Sequence, residues 1–150
     1  MIEKNASGAN LHTLFKEIFN LQSTLSEVVD EVHEKAGMRT SQVRLANTLL
    51  ELGQATVPDI AYAMKISRQF VQTAINELEK QNMIEFQENP RHKRSKLLKL
   101  TEHGRDVLNQ VRENEEAIIQ KKLPDMDATK VKAAYELLAS IRVKINKKNT

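Results

Sequence analysis

A mainly α-helical chain carrying one small β-hairpin is the fold class this sequence predicts, on three observations. Apolar residues recur at helical spacing near both ends, from Leu11 to Val32 and from Val131 to Ile145. Between them, Thr56 and Ser67 each open a short amphipathic segment of the kind a helix needs. Met83 to Glu88 then alternates apolar and polar residues, and Leu98 and Leu100 can face Ile84 and Phe86 across a hairpin.

The first helix is read from Leu11, Leu14, Ile18, Leu21, Leu25, Val28 and Val32, which follow a seven-residue repeat. Such a stripe needs cover, either from the rest of its own chain or from a second copy. Thr56 and Asp59 form a capping pair for the next readable helix: the hydroxyl accepts from an orphan amide and the carboxylate favours the positive end of the helix dipole. Pro58 falls in the first turn, where a missing N–H costs nothing. Ile60, Ala61 and Met64 make its apolar face, and Met64, Lys65 and Ile66 turn the chain into a helix capped by Ser67.

In that following helix Val71, Ala74, Ile75 and Leu78 point inward, leaving Arg68, Gln69, Gln72, Thr73 and Asn76 outward. Asn82, a residue that tolerates the left-handed conformation, ends it. Asn89 and Pro90 open the hairpin connection. That connection carries Arg91, His92, Lys93, Arg94 and Lys96 with no acidic residue among them. Thr101 caps a further helix with Val107, Leu108, Val111, Ile118 and Ile119 on one face, ended by Leu123 and Pro124. Asp125 or Asp127 starts the last helix, whose stripe is Val131, Ala134, Leu138, Ile141 and Ile145. Lys144, Lys147 and Lys148 suit the negative end of its dipole.

Two short helices joined by a tight turn and followed by a basic hairpin describe a winged helix-turn-helix. Its second helix fits a major groove and its wing can reach the flanking minor groove. Amide side chains pair with adenine edges and arginine pairs with guanine or phosphate, so the outward face is read as a DNA-binding face. The expected contacts are Ser67, Arg68, Gln69, Gln72, Thr73 and Asn76 on the helix, with Arg91, Lys93, Arg94 and Lys96 on the wing. A plain solvated face is the competing reading of the helix alone, and the adjoining wing favours DNA.

Composition bounds the rest. The chain has 150 residues, a net charge of +3 and no cysteine, so thiol chemistry is excluded. No apolar run is long enough for a membrane helix, and the start lacks the basic and apolar blocks of a secretion signal, which together predict a cytoplasmic protein. His12, His33, His92 and His103 are scattered and no glycine-rich phosphate loop is present. No enzyme activity, cofactor or metal is expected.

The stretch from Asn89 to Gly104 also resembles a known family. Asn89, Pro90, Lys93 and Arg94, then Leu100, Thr101 and Gly104, match the wing and following helix start of the MarR family of transcription regulators, whose pattern runs Asp/Asn-Pro-x-Asp-Arg/Lys-Arg and then Leu-Thr-x-x-Gly. Thr40, Ser41 and Gln42 stand where that family opens its second helix. The resemblance implies an N-terminal dimerisation helix over 1–39, a winged core over 40–100 and C-terminal dimerisation helices over 101–150. It implies a homodimer, and two-fold symmetry would set two reading helices about 34 Å apart on a pseudo-palindromic operator. A repressor released by a small aromatic or phenolic effector fits this pattern, with Phe15, Phe19, Arg44 and Tyr62 as candidate pocket residues. The alternative is a winged-helix protein-interaction or assembly module without a specific operator.

Three positions depart from the family pattern. His92 replaces the aspartate that braces the wing arginine, and Thr73 replaces a basic residue. Lys65 replaces the usual glycine of the turn, where a left-handed conformation would cost on the order of 1 kcal/mol.

Overall fold

Each helix begins where the sequence supplies a group for its orphan amides. In the computed structural model, which describes residues 5–147, the order is α1 (Gly8–Lys35), α2 (Thr40–Leu52), α3 (Val57–Met64), α4 (Arg68–Lys80), β1 (Ile84–Gln87), β2 (Leu97–Leu100), α5 (Glu102–Lys122) and α6 (Ala128–Lys147). Lys148 lies outside the described residues. Ser7 Oγ accepts from Asn10 N at 3.1 Å, Ser67 Oγ from Phe70 N at 3.1 Å, and Thr101 Oγ1 from Gly104 N at 2.9 Å. Thr56 and Asp59 form the reciprocal box, at 3.3 and 3.0 Å. Of the two candidates for the last helix, Asp127 is the cap, accepting from Lys130 N at 2.9 Å. The second helix opens at Thr40, as expected; Arg39 is the cap position before it, and its amide donates to Gln42 Oε1 at 2.8 Å.

The helix ends follow the same local logic. Lys65 adopts φ 55°, ψ 45°, so the turn between α3 and α4 is left-handed despite its side chain. Asn82 has φ 57°, as expected of asparagine after a helix. The strands pair antiparallel with Ile84 opposite Leu100 and Phe86 opposite Leu98, the register that apolar alternation requires. One rung was not legible in the sequence. Ala55 bridges Leu98, with N–H···O bonds of 3.1 and 2.7 Å, and so attaches the start of α3 to the wing.

The core is built from Leu45 and Leu49 of α2, Ile60 of α3, Val71, Ile75 and Leu78 of α4, Met83, Leu98 of β2 and Val111 of α5, all buried. Burial of each such aliphatic side chain is worth about 1.5–3 kcal/mol before entropy is counted. That core sets the orientation of α4 against the hairpin. Gly104 permits the closest approach: a Cβ there would lie 2.2 Å from the Met83 carbonyl oxygen. The same carbonyl accepts from Thr101 N at 3.0 Å, so the Leu100, Thr101, Gly104 pattern is a device for docking α5 against the backbone beside β1.

The chain divides into a unit ending at Glu115 and one running from Glu116 onward, a boundary inside α5. Within the first, Val32 of the α1 stripe is buried while Leu21 and Leu25 are exposed. Within the second, α6 has no buried residue, and Val131, Leu138 and Ile145 of its stripe are exposed. No helix among the described residues is long and apolar enough to cross a membrane.

Candidate nucleic-acid interface

The outward face of α4 is as the periodicity predicts: Arg68, Gln69, Gln72, Thr73 and Asn76 are all exposed, while Val71, Ala74, Ile75 and Leu78 hold the helix from behind. Two features of that face are set by hydrogen bonds. Gln72 Nε2 donates to Asn76 Oδ1 at 3.0 Å, so the amides form one unit that still offers a carbonyl oxygen and an amide donor outward. Thr73 Oγ1 donates to the Gln69 carbonyl at 3.0 Å, which commits its only proton to the helix. Thr73 therefore offers a methyl group and an acceptor, the surface that suits a thymine methyl. Ser67 is occupied as the cap of α4, and its hydroxyl proton remains for a phosphate oxygen.

The wing tip is shaped by Asn89. Its side-chain oxygen accepts from Arg91 N at 3.0 Å and its carbonyl from His92 N at 3.2 Å; His92 O in turn accepts from Ser95 N at 3.3 Å. Arg91, Lys93, Arg94 and Lys96 are all exposed. The Lys96 ammonium lies 5.8 Å from the centroid of the Phe86 ring, a cation–π distance that holds it against the strand. His92 is exposed on this turn, and among the described residues Arg94 has no ion-pair or hydrogen-bond partner. The wing arginine is thus left without the brace that the family's aspartate supplies.

Helix α4 and the wing meet in space. A crevice of about 360 Å³ is lined by Gln72 of α4, by Phe86, Arg94, Ser95 and Lys96 of the hairpin, and by Val57 and Pro58 at the start of α3. Val57, Pro58 and Ser95 were not among the contact residues expected from sequence. The Ala55 rung that brings them there pairs residues far apart in the chain and has no periodic signature. The candidate effector residues lie apart from this crevice. Phe15 and Phe19 lie on α1, Arg44 on α2 and Tyr62 on α3; Phe19 and Tyr62 are 69% and 88% exposed, and none of the four lines the crevice.

Comparison with known proteins agrees with this geometry. A sequence model of the MarR family matches residues 36–95, which span α2 to the wing tip. An uncharacterized protein of Mycobacterium tuberculosis is 30% identical over 112 residues, 75% of this chain and 77% of that protein. Among solved structures, the YusO protein from Bacillus subtilis superposes with a TM-score of 0.67 at 22% identity, covering 91% of this chain and 98% of that one. A mutant MarR from E. coli complexed with operator DNA gives a TM-score of 0.72 at 16% identity, covering 91% and 99%. At such identities the likeness speaks for the fold. Together with the family match and the wing residues from Asn89 to Gly104, it shows that this chain belongs to the MarR family and has the winged-helix fold of its transcription regulators.

Proposed function

We propose that the chain is a homodimeric, sequence-specific regulator of transcription that represses from a pseudo-palindromic operator. The observation that carries this reading is the shared crevice, in which the base-reading amide Gln72 and the wing guanidinium Arg94 flank one channel. An amide for a base edge and a cation for the backbone are the two contact types a duplex requires. The exposed apolar stripes of α1 and α6 support pairing of two copies. Selection of duplexes from a random DNA pool tests the reading. Enrichment of an inverted repeat with half-sites about one helical turn apart is expected, and a pool without enrichment would favour the assembly module instead. A small aromatic or phenolic effector is taken to act by releasing the selected duplex, which the same retention experiment reads directly.

Within this reading Gln72→Ala should relax preference at one base of each half-site, at a cost of about 1–3 kcal/mol for a bidentate contact. It also frees Asn76 from its lateral bond. Binding to a series of point-substituted operators measures this, and an unchanged preference at every position refutes the assignment.

Arg94→Ala should leave the fold intact, because the side chain is exposed at the wing. The expected loss is in affinity and in the slope of log affinity against log salt, by roughly one phosphate-equivalent per subunit. Titrations at several salt concentrations decide it: equal affinities and equal slopes would mean that the wing stays off DNA.

A further inference from the structure

The polar residues His33 and Gln42 are 3% and 4% exposed, within an otherwise apolar set of buried side chains among the described residues. Both serve the first turn of α2. His33, near the end of α1, meets Thr40 Oγ1 through Nδ1 at 2.7 Å and Glu115 of α5 through Nε2. The Thr40 hydroxyl is bonded in turn to Asp30 of α1.

Counting protons assigns the roles. A threonine hydroxyl has one proton and an ionised aspartate only accepts, so Thr40 donates to Asp30 and accepts from His33 Nδ1–H. Ionised Glu115 also only accepts, so Nε2 must donate as well. With both carboxylates ionised, the four groups are satisfied in full only by the imidazolium form of His33. Removing one proton turns a buried ring lone pair toward an oxygen that has no proton to share, the arrangement that costs most when desolvated.

Gln42 links this cluster to the DNA-facing helix. Its Oε1 accepts from Arg39 N, and its Nε2 donates to Glu77 of α4. Arg39 Nη2 donates to the same carboxylate at 3.2 Å, and Gln81, the residue that follows α4, donates to the Gly37 carbonyl at 3.4 Å. The turn joining α1 to α2 is thereby fastened to the helix that carries Gln72 and Asn76. The charged groups bonded into the His33 cluster are the carboxylates of Glu115 on α5, directly, and of Asp30 on α1, through the Thr40 hydroxyl.

We propose that this cluster is a proton-dependent brace. Imidazolium His33 clamps α1 and α5 onto the first turn of α2, Gln42, Glu77 and Arg39 pass the clamp to α4, and duplex affinity rises as His33 takes up its proton. The affinity claim rests on the DNA-binding reading above. The sign follows from the bonds: the doubly protonated ring makes one more bond in the folded state, so the stabilisation is present while the ring holds both protons and is lost as rising pH removes one.

The test uses the whole chain in a His92→Gln background, since a proton on the wing would also add charge at the DNA. Nitrogen NMR of the histidine rings, thermal midpoints and affinity for the selected duplex are followed from about pH 5.5 to 8.5, the range in which histidines ordinarily titrate. Both ring N–H groups of His33 are expected at the acid end. Thermal midpoint and affinity should then fall together as the ring loses its second N–H, the affinity by on the order of tenfold, the scale of one hydrogen bond to a charged group. His33→Gln and Glu115→Gln should flatten both profiles. A His33 ring with a single N–H throughout the folded range overturns the brace, as does a His33→Gln protein that follows its parent's affinity profile. Should His33→Gln fail to fold, the ring signals and Glu115→Gln decide. A pool that yields no retained duplex overturns the DNA-binding reading instead, and the ring protons and thermal midpoints still judge the brace.

Discussion

Leu25→Pro is expected to yield a protein of single-subunit mass that has lost about 10²- to 10⁴-fold in operator affinity. Leu25 lies well inside α1, where proline removes an i→i−4 hydrogen bond and its ring clashes with the preceding turn, at a cost of about 3 kcal/mol or more. Its side chain is 39% exposed on the described chain, so the stripe it belongs to is available for a second copy. The loss in affinity is large because two half-sites bound by one dimer act at a high effective concentration, and separate subunits forfeit that gain. Leu138→Asp is the fold-preserving companion: it places a charge on the exposed stripe of α6, a helix with no buried residue of its own. Light scattering at micromolar protein, with circular dichroism to verify helix content, reads both variants. Dimer mass in both would remove the stripes from the account of assembly.

Gly104→Ala is expected to lower stability although alanine is the better helix former. Glycine to alanine in a helix interior gains about 1 kcal/mol in propensity. Against that, the new Cβ would sit 2.2 Å from a backbone carbonyl oxygen that is itself bonded to Thr101 N. Neither atom is the far end of a flexible side chain, so α5 must move away from the residues that lead into β1. Valine adds two more carbons and removes most of the propensity gain. For Gly104→Val an overpacking cost of about 2–3 kcal/mol corresponds to a thermal midpoint lower by roughly 4–12 °C for a chain of this size. A melt of Gly104→Val that coincides with wild type would contradict the close approach between α5 and Met83.

What the sequence made legible is mostly local. The caps at Thr56, Ser67 and Thr101, the left-handed Asn82 and the pairing of Ile84 with Leu100 each depend on a few neighbouring residues and on a period of 2 or 3.6. The outward face of α4 followed from the same periodicity. The parts that were not legible join residues remote in the chain. Ala55 with Leu98, His33 with Glu115 and Gln42 with Glu77 leave no periodic trace, because a single contact has no period. The family resemblance put the opening of α2 at Thr40, where the helix does begin, but it did not tell what the Thr40 side chain does. Its hydroxyl serves Asp30 and His33, and the cap position falls to Arg39, whose amide is held by Gln42. The commitment of Thr73's proton to Gln69 likewise depends on a rotamer that spacing does not choose.

The lateral bond between Gln72 and Asn76 bears on how fast a site can be found. On the DNA-binding function proposed above, the regulator would spend nearly all its time on wrong sequence, held there by charge that reads nothing, the role proposed for the exposed wing. Each base step it crosses must be tested and rejected before it moves on. Side chains that already hold one another have fewer rotamers to sort through at every step, so a mismatch is felt as soon as the edge is presented. A pair of this kind shortens the interrogation of each step, and the gain recurs at every base the protein passes on its way to the operator.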